Sequence, residues 1–264
     1  MPYRIDVRDT TENTIERLID LGALDVTSSG RRQVAALMPD RITPQQIATA
    51  LGVDEVSVSH AFGRDADSVW LLEPRPFTIG RLRIIPADAT PEPGALRLID
   101  APAFGTGLHP TTALCLEAVD EIVAASSPEA VLDVGTGSGV LALSALMLGV
   151  PQGCAIDIDA TALRVAAENA RLNGLEARLE FVHGGPETLA GTWPLVLANV
   201  LAAPLMEMAP MLVRRIGHHG RLVLSGIPDG LQAQVEDAYR RLGIRRIDIK
   251  TRGGWVALVM QASW

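Results

Sequence analysis

Two hydrophobic periods alternate along this chain. Tyr3-Arg-Ile-Asp-Val7 alternates apolar and polar positions, as a strand with one buried face does. Asn13 to Ile19 follows a helical spacing, with Gly22 as its terminator. Residues 31–38 predict another strand, and Thr43 to Leu51 a second helix that Thr43 caps and Pro44 opens. Glu55 to His60 predicts a further strand. Helices interleaved with short strands imply a small two-layer α/β domain over residues 1–64. Residues 65–95 are charged and contain several prolines, each of which biases its preceding residue away from helix. They read as a linker with one strand, Leu82 to Ile85.

From residue 96 a larger pattern begins. Leu114 to Ala124 carries an apolar helical stripe. Ala130-Val-Leu-Asp-Val134 is nearly all apolar, as expected of a strand buried on both faces. A glycine-rich turn leads into a helix over Val140 to Leu148. The alternation continues with strand Gly153 to Asp157, helix Ala160 to Asn173, and strands Leu179 to Val182, Leu195 to Ala198 and Arg221 to Ser225. Such alternation predicts crossover units around an open, mostly parallel sheet over residues 96–264. A helix near 231–242 and strands near 244–250 and Trp255 to Met260 would form an antiparallel end to that sheet.

Composition narrows the picture modestly. The chain has 264 residues, 48% of them hydrophobic, enough for a catalytic domain plus a small accessory one. Its formal charge of -8 gives no general drive toward nucleic acid, and Arg240-Arg241 with Arg245-Arg246 read as solvated surface. Cys115 and Cys154 lie in apolar segments and read as reduced core thiols. The opening MPYRIDVRDT has no apolar run of signal length, and no 18-residue apolar stretch follows, so the expected location is the cytoplasm, away from membranes.

The strongest local signal is Val131-Leu-Asp-Val-Gly135-Thr-Gly137-Ser-Gly139. It places a glycine turn directly after a buried strand, where open α/β sheets bind ligands and where helix amides can hold a polar group. The spacing is GxGxG rather than the full GxGxxG, which disfavours hydride transfer. Asp157 ends the next strand and could accept hydrogen bonds from ribose hydroxyls, while Asp159 suits a helix cap. The segment Ala103-Phe-Gly105-Thr-Gly107-Leu-His109-Pro-Thr-Thr112 frames the same edge. Thr111 or Thr112 could cap the next helix, and His109 suits organising or substrate contact more than direct chemistry. No metal-ligand spacing surrounds His109. Asn199 follows a strand that should end near the crevice, where its side-chain oxygen could accept from an amine.

These pieces together resemble the bacterial ribosomal-protein methyltransferase family often called PrmA. The resemblance rests on AFGTGLHPTT at 103–112, VLDVGTGSGVLAL at 131–143 and AIDIDATALRVAAENARLNG at 155–174. It extends to LANVLAAPLMEMAPML at 197–212, RLVLSGI at 221–227, GWVALV at 254–259 and PFTIGRLRIIP at 76–86. It implies a class I methyltransferase fold, S-adenosylmethionine as cofactor, and lysine ε-amino or N-terminal α-amino acceptors on a large-subunit ribosomal protein. It also implies cofactor contacts at Phe104, Gly105, Thr106, Gly107, Asp133, Gly135, Thr136, Gly137, Asp157, Ile158 and Asn199. Substrate contacts would fall to Thr106, His109, Asn199 and Leu201, with Asn199 at the point of transfer and no metal. The chain departs from the family pattern at Gly191-Thr-Trp-Pro194 and at His183-Gly184-Gly185, where acidic residues are usual; Glu187 is the nearby substitute for the latter. The region around Trp70 also lacks the family's basic, tryptophan-rich form. These departures keep open a small-molecule N- or O-methyltransferase, an enzyme for another protein such as an electron-transfer flavoprotein subunit, and a cofactor-binding module without catalysis. The oligomeric state is not legible.

Overall fold

The computed structural model describes residues 1–8, 10, 13–28, 33–64, 70–72, 74–99 and 109–264. They form two compact units, Met1–Arg75 and Pro76–Trp264.

The first unit runs β1 (Tyr3–Arg8), α1 (Thr14–Asp20), β2 (Asp25–Ser28), β3 (Gln33–Met38), α2 (Pro44–Leu51), β4 (Ser57–Arg64) and β5 (Trp70–Leu72). Its strands make one antiparallel sheet of order β2-β3-β1-β4-β5. Alternation in β1 puts Tyr3, Ile5 and Val7 inward, where they meet Leu18 of α1, Met38 of β3 and Ile47 of α2. The cap expected at Thr43 is present. Its hydroxyl accepts from Gln46 N at 3.2 Å, and Gln46 Oε1 accepts from Thr43 N at 2.7 Å. The guanidinium groups of Arg4 and Arg75 both pair with Asp6.

The second unit begins with β6 (Phe77–Ile79), β7 (Leu82–Pro86) and β8 (Ala95–Leu98). This stretch, expected to hold one strand, folds as a three-stranded sheet of order β6-β7-β8. Alternation and register place the buried Phe77, Ile79, Leu82, Ile84 and Leu96 on one face, and β8 packs on helices of the main layer. The single strand was legible as an apolar run; its short neighbours were hidden by prolines and charges at their ends.

The main layer follows as α3 (Pro110–Ser126), β9 (Ala130–Val134), α4 (Val140–Met147), β10 (Gln152–Asp157), α5 (Ala160–Leu172) and β11 (Leu179–His183). It continues with β12 (Trp193–Asn199), α6 (Ala202–Glu207), α7 (Ala209–Val213), β13 (Ile216–Pro228), α8 (Gln232–Arg240), β14 (Ile244–Arg252) and β15 (Trp255–Ala262). The seven strands take the order β11-β10-β9-β12-β13-β15-β14. From β11 through β13 every pairing is parallel, while β15 is antiparallel to both its neighbours. The cause is local. Helix α8 crosses over to return β14 parallel to β13, and the tight turn at Gly253-Gly254 then reverses the chain into β15, which inserts between them.

Alternation along the strands fills two core layers. Leu132, Val134, Ile156, Val196, Ala198, Leu222 and Leu224 face Leu205, Leu212, Val235 and Tyr239 of α6, α7 and α8. On the opposite face α3 packs on β12, β13, β14 and β15, with α4 beside it on β9 and β10. Among the described residues no helix is long and apolar enough to cross a membrane. Cys115 and Cys154 are buried and free, as expected, and burial pushes the Cys154 thiol up to about 11.

The only described hydroxyl joining α8 to α6 through a side-chain hydrogen bond is that of Tyr239, which is fully buried and donates to the Leu205 carbonyl at 2.8 Å. Tyr239→Phe keeps the packing and leaves that carbonyl unpaired, so we expect a loss of about 1–2 kcal/mol in urea unfolding. The corresponding fall in melting temperature is roughly 2–6 °C for a domain of this size.

Candidate active site

The strand order reverses between β9 and β12, because β10 and β11 lie to one side of β9 while β12 and β13 lie to the other. Loops leaving the carboxyl ends of β9 and β12 therefore diverge and open a crevice. Gly135, Thr136, Gly137, Asp157, Ile158, Asn199 and Leu201 lie at or just beyond the carboxyl ends of β9, β10 and β12, whereas Asp133 is buried within β9. Phe104, Gly105, Thr106 and Gly107, predicted for the same site, lie outside the described residues.

The loop after β9 turns on three glycines with positive φ: Gly135 at 70°, Gly137 at 56° and Gly139 at 82°. The turn is pinned from below. Gly135 N and Thr136 N both donate to the Ile156 carbonyl, at 2.9 and 3.0 Å. From the side, Gly137 N donates to Asp157 Oδ2 at 3.0 Å, while Asp157 Oδ1 accepts from Asp159 N at 3.0 Å. Each carboxylate oxygen retains a further acceptor direction. Asp159 caps α5, accepting from Thr161 N at 2.8 Å, as its position predicted. Ile158, next to Asp157, is 81% exposed despite its apolar side chain.

Asp133 has a different environment. It is only 1% exposed, and its Oδ2 accepts from Thr136 Oγ1 at 2.7 Å and from Ala142 N at 3.2 Å. Its Oδ1 is buried with no hydrogen-bond partner among the described residues. Burial pushes this carboxyl up to about 6, against the lowering effect of its two donors.

On the other side of the crevice, Asn199 ends β12. Its Nδ2 donates a long hydrogen bond, 3.4 Å, to the hydroxyl of Thr112, which is fully buried on α3. The Oδ1 of Asn199 is buried and has no partner among the described residues. Leu201 is 52% exposed at the start of α6. The helix cap expected at Thr111 or Thr112 is instead His109, whose Nδ1 accepts from Thr111 N at 3.3 Å. Its ring meets Trp255 edge-on at 5.5 Å between centroids. Thr112 is thereby released to support Asn199. Glu187 is exposed and accepts from Gly185 N at 3.2 Å within its own turn after β11.

Sequence reasoning missed Val200 and Gly226. Val200 follows Asn199 and sits between two glycines. A Cβ on Gly135 would lie 2.5 Å from Val200 Cγ1, and one on Gly226 would lie 2.2 Å from the Val200 carbonyl oxygen. Gly226 has φ 83° and falls at a bulge in β13, where pairing with β15 shifts between Leu224 and Ile227. The signal available was a glycine interrupting an otherwise apolar strand.

A glycine turn at the end of a buried strand, a strand-end carboxylate bonded to it and an amide oxygen at the end of the neighbouring strand suit a nucleoside-bearing cofactor set beside an acceptor group. Fold and site define a class I methyltransferase that uses S-adenosylmethionine. The sequence profile of the family described as "Ribosomal protein L11 methyltransferase (PrmA)" matches residues 8–263, and the chain belongs to that family. Similar relatives include the ribosomal protein L11 methyltransferase of Chromohalobacter salexigens, 40% identical over 238 residues, covering 88% of this chain and 75% of that one. The enzyme of the same name from Pelobacter propionicus is 38% identical over 228 residues, covering 83% and 73%. Among solved structures, the ribosomal protein L11 methylase of Lactobacillus delbrueckii subsp. bulgaricus matches at a TM-score of 0.65 and 29% identity, covering 72% of this chain and all of that one.

Two outcomes follow from this geometry. Gly226→Ala forces the Val200 peptide aside, so methyl transfer should fall by about tenfold or more in a steady-state assay, as sub-ångström misplacement does elsewhere. The Asp133 carboxyl holds its proton more tightly folded than unfolded. Its contribution therefore favours the fold at pH below about 4 and is lost as pH rises through about 6. In unfolding titrations across that window, Asp133→Asn should remove a pH-dependent loss on the order of 2–3 kcal/mol.

Proposed function

We propose that this chain methylates amino groups of ribosomal protein L11, with Asn199 holding the acceptor amine. The observation that carries the reading is the state of the Asn199 amide. Its nitrogen donates a long hydrogen bond to Thr112, and its buried Oδ1, at the end of β12, is an acceptor without a partner among the described residues. An amine N–H donated to that oxygen would turn the nitrogen lone pair toward the methyl donor. The similar relatives are ribosomal protein L11 methyltransferases, which supports L11 as the acceptor, and the exposed Ile15, Ile19 and Leu24 of the N-terminal domain support a protein contact there. In this reading the unit Met1–Arg75 recruits the substrate and the unit Pro76–Trp264 catalyses, in the cytoplasm.

Bound S-adenosylmethionine supplies an electrophilic methyl group. The remaining work falls to the chain. Gly135 and Gly137 give the loop the turn that presents its backbone to the cofactor, Asp157 offers its spare acceptor directions to ribose hydroxyls, and Ile158 gives an apolar surface beside them. Asp133 serves the loop from beneath through Thr136 and Ala142. Lysine must lose a proton first, since its ordinary pKa is about 10.4. Partial desolvation in the crevice lowers that value by disfavouring the ammonium form, and the proton can leave to water. Alignment of amine and methyl then supplies much of the rate. His109 acts by capping α3 and by contact with the substrate, and Leu201 by apolar contact with the acceptor side chain.

Mass spectrometry of purified L11, after incubation with the enzyme and isotopically labelled S-adenosylmethionine, should show label on amino groups. Label confined to small metabolites would reject the protein acceptor. Asn199→Ala should lower kcat by about a hundredfold while cofactor affinity stays within about threefold, because the lost contact serves the amine. Unchanged turnover would reject the role given to Asn199.

A further inference from the structure

Asn169 lies in α5, and Asn173, one turn later, is the residue at its C-terminal cap. Asn173 treats β8 as a neighbouring strand would. Its Oδ1 accepts from Arg97 N at 2.8 Å and its Nδ2 donates to the Arg97 carbonyl at 2.8 Å. Asn169 acts differently. Its side chain is 0% exposed, its Oδ1 accepts from Ile99 N at 2.8 Å, and its Nδ2 donates to the Ser138 carbonyl at 2.9 Å. Ile99 lies directly beyond β8, whereas Ser138 lies inside the glycine loop. One amide thus spans two backbone segments that are about forty residues apart in sequence.

The Ser138 carbonyl and the Gly139 N–H belong to one planar peptide. The N–H side is held within the loop, donating to the Thr136 carbonyl at 2.8 Å. The carbonyl side is held from outside by Asn169. Ala166, one turn earlier on α5, closes the space beneath the same glycine: a Cβ on Gly139 would lie 3.1 Å from Ala166 Cβ. Helix α5 therefore sets both the height and the tilt of this peptide, and with it the direction of the amides in the turn.

We propose that Asn169 is a positioning residue for cofactor binding, which orients the glycine loop by holding the Ser138 peptide against the end of β8. It touches no reacting atom. The inference rests on the reading of the glycine loop and Asp157 as the cofactor's cradle. A buried amide in a helix interior is costly unless both ends are paired, and here both partners are backbone groups of segments that must be brought together.

The test uses calorimetric binding of S-adenosylhomocysteine to the full chain, with thermal melting in parallel. Asn169→Asp keeps the acceptor for Ile99 N and removes the donor to Ser138; Asn169→Thr is a smaller second variant. Asn173→Ala loosens the same strand without touching the loop. Asp157→Ala reports on the cradle itself. We expect both Asn169 variants to weaken binding roughly five- to tenfold, the scale of one hydrogen bond, while kcat at saturating cofactor stays within about twofold. Asn173→Ala should lower the melting temperature yet bind within about twofold of the parent. Parent-like binding by the Asn169 variants, with Asp157→Ala weakened, would overturn the inference alone. Equal weakening by Asn173→Ala, or Asn169 variants that both fail to fold while Asn173→Ala folds and binds, would reduce Asn169 to a structural residue and overturn it too. Parent-like binding by Asp157→Ala would overturn the cradle reading, and the inference with it.

Discussion

Val200 occupies a space that exists because two glycines, almost a hundred residues apart, carry no side chain. Its side chain meets Gly135 of the loop after β9, and its carbonyl meets Gly226 at the bulge of β13. Steric exclusion at these two points ties the two lips of the crevice to one residue. The glycine loop cannot rise without striking Val200, and the segment bearing Asn199 cannot sink without striking β13. Close-packed interiors transmit displacement in this way because they offer no slack to absorb it. The distance between the cofactor side and the acceptor side of the site is therefore set by van der Waals contact rather than by flexible polar contacts.

Hydrogen bonding refines what packing sets. Asp133 and Asp157 lie at or near the ends of adjacent strands, yet the fold treats their carboxylates differently. Asp133 points into the layer under α4, loses water and is pushed up toward a neutral state. Asp157 lies at the sheet's edge, where the N–H groups of Gly137 and Asp159 hold it while each oxygen stays able to accept again. The first braces the loop from within; the second faces outward and is the one suited to meet hydroxyl groups. Both placements follow from alternation. Asp133 is one residue short of the end of β9, on the face opposite Leu132 and Val134, while Asp157 is the last residue of β10, where the strand releases its side chain to the crevice.

Much of this was legible from residues alone. Continuous apolar runs identified β9, β10 and β12 because strands buried on both faces need no polar alternation, and the glycine turn after Val134 marked where the site would open. The antiparallel end of the sheet followed from the strand pair around Gly253-Gly254. What escaped the sequence were relations between distant segments. A glycine inside an apolar strand signals a bulge or a close approach at Gly226 but not that Val200 is the partner, and nothing in a well-formed helix announces that Asn169 is buried. Either Thr111 or Thr112 suits a cap, because a threonine after a proline-bearing turn has that local explanation; His109 takes the cap, since its Nδ1 reaches Thr111 N, and Thr112 faces Asn199. Short strands β6 and β8 failed the periodicity test because three or four residues cannot display a period.

Helix α5 shows why such relations accumulate at this end of the sheet. Its cap, Asp159, is tied to Asp157; its Ala166 underlies Gly139; its Asn169 holds Ser138 and Ile99; its C-terminal neighbour Asn173 holds Arg97. A helix packed only through aliphatic contacts could slide or rotate by a fraction of an ångström at little cost, since dispersion is spread over many weak contacts. Directional bonds to three backbone segments remove that freedom. An aliphatic side chain at 169 would satisfy the core but leave an N–H and a carbonyl unpaired in a buried place, at a cost of roughly 1–3 kcal/mol for each. Two backbone partners bound by one buried side chain thus make the amide at this position a requirement of the loop's geometry, and the helix becomes the reference against which the glycine turn is held.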